Sequence, residues 1–163
     1  MFQGTSEDAA FKIITNGFGI TSSVDDGYYG RGIYFTSKID YAAKYCKPAK
    51  NKGKVFLLSL VISANSFPVT EHPFQNPKGF LGQACKPGYQ THFTIVSSNK
   101  ISNAFPVKSM ENENEEKSDE LVVFEGSQIL PLFLIYTTQF DSVESQNEEN
   151  EKVEGNKNIK YKI

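Results

Sequence analysis

The order of predicted elements indicates an α+β fold for this 163-residue chain. Helix-type patterns come mainly early, whereas runs rich in β-branched and aromatic residues, typical of strands, come mainly late. The regular strand–helix alternation of a doubly wound parallel sheet is absent. The length favours one domain with some additional sequence, and we place the domain at residues 1–138 and a tail at residues 139–163.

The first predicted helix covers residues 5–15. Thr5 or Ser6 supplies its N-cap, acidic residues in the first turn favour its positive end, and Gly17 ends it. Residues 18–29, with their glycines, serines and aspartates, predict a loop. We expect three apolar side chains of the helix to face the core: Ala10, Ile13 and Ile14.

A glycine-flanked strand and a second helix follow this loop. Ile33–Thr36 is apolar and aromatic, as expected for a strand, and Ser37 is then a plausible N-cap for a helix over residues 38–46. That helix places three residues on adjoining positions: Tyr41, Ala42 and Tyr45.

The remaining elements are strands and polar connections. Residues 108–119 and the tail at 139–163 have little apolar content, and we expect the tail to be disordered because it buries too little surface to offset its ordering entropy. The predicted strands are Val55–Ser63, His92–Ser97, Leu121–Phe124 and Ile129–Thr137.

Composition excludes several classes of protein and site. The formal net charge of −2 gives no basic field for nucleic acid, and no apolar run approaches the roughly 18–20 residues of a membrane helix. Cys46 and Cys85 are far apart without metal-ligand spacing, which fits an intracellular, cytoplasmic or nuclear, reducing setting. His92 is predicted to be a packing or hydrogen-bonding residue and His72 an exposed one, so neither zinc nor Cys/His catalysis is favoured.

Three short motifs occur in order along residues 2–136. They are Phe-Gln-Gly-Thr at 2–5, Gly-Ile-Tyr-Phe at 32–35 with a helix up to Tyr45, and the stretch from Glu120 to Pro131. This set resembles the poly(ADP-ribose) polymerase-like ADP-ribosyltransferases, whose first motif carries histidine where this chain has glutamine. The stretch at 87–93 also resembles the central strand of some members.

The resemblance implies a split, strongly bent antiparallel β-sheet, few short helices and a cleft that binds NAD as the ADP-ribose donor. The family's His-Tyr-Glu triad carries over by position to Gln3, Tyr34 and Glu120 as catalytic residues. The residues implied as cofactor-binding are Gln3, Gly4, Thr5, Tyr28, Gly32, Tyr34, Ala42 and Tyr45.

The chemistry explains why such residues are suitable. Loss of nicotinamide from a ribose carbon passes through an oxocarbenium-like transition state, as in glycoside hydrolysis. Tyr34 and Tyr45 supply flat apolar rings for nicotinamide, and Gly4 leaves room for backbone contacts to its carboxamide. Glu120 supplies a carboxylate near the ribose, where positive charge develops. Glu125 is the nearest competing carboxylate, but its position before Gly126 predicts a turn between the last two strands.

Three departures from the family pattern bear on activity. Gln3 retains a donor and an acceptor where histidine is expected, which predicts weaker NAD binding without excluding chemistry. Ala42 replaces the serine that usually bonds the carboxamide. Met1 lies two residues before Gln3, so we also expect a shortened first strand.

The sequence leaves more than one function open. The first is an NAD-dependent protein ADP-ribosyltransferase, more in the manner of the mono-ADP-ribosylating members, although Glu120 keeps a carboxylate associated with chain elongation. The second is an inactive pseudoenzyme that binds NAD, ADP-ribose or a protein partner, as Gln3 and Ala42 suggest. A related RNA 2′-phosphotransferase relies on several arginines, and Arg31 is the only one in this chain.

Overall fold

The computed structural model describes residues 1–19, 27–47, 49, 53–70, 79–97, 116–137 and 159–162. Its strands are β1 (Phe2–Thr5), β2 (Ile33–Phe35), β3 (Val55–Val61), β4 (Ser66–Pro68), β5 (Thr91–Ser97), β6 (Lys117–Val123), β7 (Ile129–Thr137) and β8 (Ile159–Lys162). They form two four-stranded sheets, in the orders β1-β3-β7-β8 and β2-β6-β5-β4. Among the described residues, all strand pairs are antiparallel except β4–β5, which is parallel, so the predicted split sheet is confirmed with one parallel edge.

The helices are few and short. Helix α1 (Glu7–Asn16) begins at an N-cap, Ser6, whose Oγ accepts a hydrogen bond from the Ala9 amide at 3.3 Å. It ends at Gly17, which adopts φ +78° and donates its N–H to the Ile13 carbonyl. The predicted caps are therefore confirmed. The apolar face differs in part, because Ile14 is 48% exposed while Ala10 is buried against β3.

The second helix is shorter than predicted. Helix α2 (Ile39–Ala42) continues directly into a 3₁₀ turn, Ala43–Tyr45. Its N-cap is Lys38 and not the predicted Ser37, because Ser37 bonds to β6 instead. Another 3₁₀ turn, Gly126–Gln128, connects β6 to β7, and Glu125 precedes it as expected.

One bridge joins the two sheets. Phe2 at the start of β1 and Thr36 just after β2 exchange backbone hydrogen bonds of 2.7 and 3.0 Å. This bridge brings β1, which carries Gln3 and Gly4, next to β2, which carries Tyr34. The motifs that are far apart in sequence therefore meet at the split between the sheets.

The tail prediction is wrong for four residues. Ile159–Lys162 forms β8 and pairs with β7 from Leu134 to Thr137, because a free sheet edge accepts backbone hydrogen bonds from any extended segment. Several expectations lie outside the described residues: His72, most of the 18–29 loop, most of 108–119, and residues 138–158. No helix among the described residues is long and apolar enough to cross a membrane.

Candidate active site

A cleft of about 920 Å³ opens where the two sheets meet. One wall is formed by β1 and α1, and the other by β2, α2 and the middle of β6. Its volume is at the upper end of the range for small-molecule sites, about 300–1,000 Å³. Its described lining includes eight of the nine predicted site residues: Gln3, Gly4, Tyr28, Gly32, Tyr34, Ala42, Tyr45 and Glu120.

Glu120 is the buried acid of this cleft, with 6% of its surface exposed. The Tyr41 hydroxyl donates to Glu120 Oε1 at 2.5 Å, and the Tyr45 hydroxyl reaches the same oxygen at 3.4 Å. The two phenolic oxygens are 3.0 Å apart, and their rings meet edge to face at 5.6 Å between centroids. Glu120 is thus oriented by a pair of phenols on α2 and its 3₁₀ extension.

Tyr41 lines the cleft but was not among the predicted site residues. Tyr41 and Tyr45 are four residues apart, which places them on one side of a helical segment. This spacing was the one indication in the sequence that the two phenols act together. The carboxylate that they share lies 79 residues further along the chain from Tyr41, on a different element. The spacing alone therefore did not reveal their common partner.

Burial sets the electrostatics of this group. Loss of solvent raises the pKa of Glu120 above its usual range, while the hydroxyls of Tyr41 and Tyr45 act in the opposite direction and Asp119 adds to the rise. Burial and the neighbouring carboxylate also raise the pKa of Tyr41, so it remains a phenol donor. The arrangement is a carboxyl group held by neutral donors.

Asp119 fixes the position of the phenols relative to Glu120. Its carboxylate accepts hydrogen bonds from the Ser37 amide at 3.0 and 3.1 Å and from the Ser37 hydroxyl at 2.5 Å. The Thr36 hydroxyl adds a longer bond of 3.4 Å. Because Ser37 lies directly before α2, these bonds tie the start of that helix to the strand that carries Glu120. They also explain why Ser37 is not the helix cap.

Tyr34 also lines the cleft, from β2, and contacts the turn at residues 27–30. Its hydroxyl accepts a hydrogen bond from the Tyr29 amide at 3.0 Å and donates one to the Gly30 carbonyl at 2.8 Å. A side chain at Gly27 would collide with this hydroxyl, at 2.2 Å. The phenol is therefore engaged with backbone, and the group that Tyr34 offers to a ligand is its ring.

The β1 edge contributes Gln3 and Gly4. Gln3 Oε1 is buried and has no hydrogen-bond partner among the described residues, which leaves an acceptor free for a ligand. Gly4 is required for a reason that differs from the expected one, since an added Cβ would lie 2.0 Å from the Ala42 carbonyl oxygen. The absence of a side chain at Gly4 thus permits α2 to pack on β1.

Thr5 is the predicted contact that the cleft does not include. It pairs with Val55 at the end of β1, and α1 begins just beyond it. The start of that helix then occupies this edge of the cleft with Ser6 and Asp8. Among the described lining residues Thr5 is therefore replaced by Ser6.

Comparison with known proteins gives one family. The sequence profile of the poly(ADP-ribose) polymerase catalytic domain matches residues 1–139. No curated protein matches the chain at a significant level. The matched range contains every predicted site residue, as well as the two sheets apart from β8.

Proposed function

Because the chain belongs to the poly(ADP-ribose) polymerase catalytic-domain family, we propose that it binds NAD in the cleft and transfers ADP-ribose to a protein acceptor. NAD would supply the ADP-ribosyl group and nicotinamide as the leaving group. The acceptor forms a bond to the ribose carbon while the bond to nicotinamide breaks. The bonding pair leaves with nicotinamide, and the acceptor releases its proton.

The observation that supports this proposal is the position of Glu120 at the cleft. A carboxylate close to the ribose stabilises the positive charge that develops as nicotinamide departs, and it accepts a hydrogen bond from a ribose hydroxyl. The 2.5 Å bond from Tyr41 orients Glu120 in advance of binding. Such preorganisation is favourable because no reorientation is needed during the reaction.

Other lining residues fit the remaining parts of NAD. The rings of Tyr34 and Tyr45 suit a flat aromatic group, and Tyr45 is 51% exposed and therefore accessible. The unpaired Gln3 Oε1 suits a ribose hydroxyl, since a buried acceptor without a partner costs about 1–3 kcal/mol. Lys12 of α1 is the one cation among the described lining residues, and we assign it to the diphosphate.

On the basis of the sequence resemblance, we further propose that each acceptor receives a single ADP-ribose. We also propose an intracellular setting, either cytoplasmic or nuclear, because the two cysteines are free and separated. The partners are then NAD and a protein acceptor. No membrane or nucleic acid enters the proposal.

To test the proposal, the full chain is incubated with labelled NAD and a cell lysate, and the label that becomes attached to protein is measured. The intact mass of the labelled protein gives the length of the adduct. Glu120→Gln should abolish transfer, whereas Glu125→Gln, an exposed carboxylate in the β6–β7 connection, should not change it. Equal labelling by wild type and Glu120→Gln would refute the proposal. Gln3→His is expected to lower the KM for NAD.

A second candidate is an NAD- or ADP-ribose-binding pseudoenzyme, or a module for a protein partner. It is favoured by Gln3 in place of histidine and by Ala42, which is buried at the cleft and has no hydroxyl for the carboxamide. Calorimetric titration with NAD and with ADP-ribose distinguishes the two candidates. Binding without transfer, unaffected by Glu120→Gln, would support the second.

A further inference from the structure

His92 is a buried titratable residue that the proposed chemistry does not use. It lies in β5 and is fully buried, with 0% of its surface exposed. The Lys86 amide donates to His92 Nε2 at 2.9 Å, and Nδ1 lies 2.6 Å from the Tyr29 carbonyl oxygen. Because a backbone N–H only donates, Nε2 is the acceptor, and the single ring proton is on Nδ1. The sequence prediction of a hydrogen-bonding, packed histidine is thus confirmed.

The bond from Nδ1 connects His92 to the turn that holds Tyr34. The Tyr29 carbonyl accepts from His92, while the amide of the same residue donates to the Tyr34 hydroxyl. That hydroxyl in turn donates to the Gly30 carbonyl. Two side chains therefore hold the Tyr29–Gly30 turn, one from each side.

The strand register explains why these two side chains are suitably placed. Val122 of β6 is the direct partner of both Tyr34 on β2 and His92 on β5. Directly opposed residues of antiparallel strands point to the same face, so Tyr34 and His92 project from one face about 10 Å apart. The buried Tyr29 packs in the core cluster that includes Val122, between these two side chains.

The surroundings of His92 hold the ring in one orientation. Phe124, Phe80 and Phe67 pack against it, with centroid distances of 4.7, 5.0 and 5.7 Å. Gly30, with φ +126°, has room for no side chain, since an added Cβ would lie 2.6 Å from Phe124. The ring is thus fixed within aromatic contacts, and its polar atoms serve backbone groups of two separate loops.

We infer that His92 is a positioning residue, which sets the aromatic wall of the cleft by holding the Tyr29–Gly30 turn against Tyr34. This role rests on the proposed NAD site, whose nicotinamide end Tyr34 would form. His92 is not among the described residues that line the cleft, so it acts through the turn and not on the ligand.

The test compares His92→Phe, which keeps a ring without polar atoms, with His92→Asn, which retains an amide donor near the position of Nδ1. Phe67→Leu is the control, because Phe67 packs on His92 but makes no hydrogen bond to the turn in the described residues. Readouts are thermal stability, amide hydrogen exchange of residues 28–34, the nitrogen NMR spectrum of His92, and calorimetric binding of NAD and of benzamide as a nicotinamide mimic.

We expect His92→Phe to bind benzamide about tenfold more weakly and to exchange faster at residues 28–34, with kcat little changed and the KM for NAD raised. His92→Asn should recover most of the affinity. Unchanged exchange in His92→Phe, or an equal loss of benzamide affinity in a Phe67→Leu variant of matched stability, would overturn the inference. The exchange and NMR readouts need no ligand, so they decide the role of His92 even if wild type fails to bind NAD.

Discussion

The substitution Tyr41→Phe isolates the contribution of one hydroxyl to the candidate active site. The ring of Tyr41 is buried, and phenylalanine retains its packing, so the change removes mainly the 2.5 Å bond to Glu120 and the contact with the Tyr45 hydroxyl. Hydrogen bonds to charged groups contribute about 1.5–3 kcal/mol. If that bond orients Glu120 in the transition state, kcat should fall by about 10- to 100-fold.

The same substitution should alter the pH dependence. The Tyr41 hydroxyl favours the ionised form of Glu120, so its removal raises the pKa of Glu120 further and moves the acidic limb of the kcat/KM profile to higher pH. The assay is initial-rate transfer from labelled NAD across a pH series. Tyr89→Phe serves as the control, because Tyr89 is not among the described lining residues. An unchanged kcat, or a fall in kcat without any movement of the acidic limb, would refute this reasoning.

Two further predictions concern stability. Gly4→Ala should lower Tm by several degrees and weaken NAD binding in calorimetry, because the new Cβ would lie 2.0 Å from the Ala42 carbonyl oxygen. Gly88→Ala is the control: its backbone is strained at φ +88°, but no atom lies within 4 Å of the new Cβ. This control should lose stability while keeping its affinity for NAD. The Tm of Glu120→Gln should increase relative to that of wild type as pH rises. The pKa of Glu120 in the folded state is raised above its unfolded value of about 4.3, so wild-type stability is lost as pH rises from the unfolded pKa through the folded pKa. A Tm difference between Glu120→Gln and wild type that is equal at acidic and neutral pH would contradict the second.

Local signals in the sequence predicted the elements that depend on local interactions. The caps of α1 followed from a serine and a glycine at its ends, and β7 was placed at its observed bounds from a β-branched and aromatic run. The 38–46 helix was predicted too long, because α2 ends at Ala42 and a 3₁₀ turn continues to Tyr45. Its N-cap was placed at Ser37, since the sequence did not indicate that Ser37 bonds to Asp119, 82 residues away. The three-residue β4 gave no clear signal because a short parallel edge strand has no periodicity of its own.

The candidate site likewise contains residues that the sequence predicted and residues that it did not. The resemblance identified Gln3, Tyr34 and Glu120 by position, and the structure brings all three to one cleft. It did not identify Tyr41, or the link between His92 and Tyr34, because both depend on which strand lies beside which. We predicted that Gly4 leaves space for the carboxamide of a ligand, whereas in the structure the position of a side chain at Gly4 is taken by the Ala42 carbonyl.

The use of phenols around Glu120 has a consequence for the proposed catalysis. A cationic partner would hold this carboxylate ionised more firmly, but it would also cancel part of the negative charge that an oxocarbenium-like transition state requires. Tyr41 and Tyr45 orient the same oxygen without adding positive charge. The cost is a buried acid whose pKa is raised, and hence a less stable fold at neutral pH. A site selected only for stability would not favour this arrangement, and for that reason Glu120 with its two phenols is the strongest structural argument that the cleft is built for chemistry.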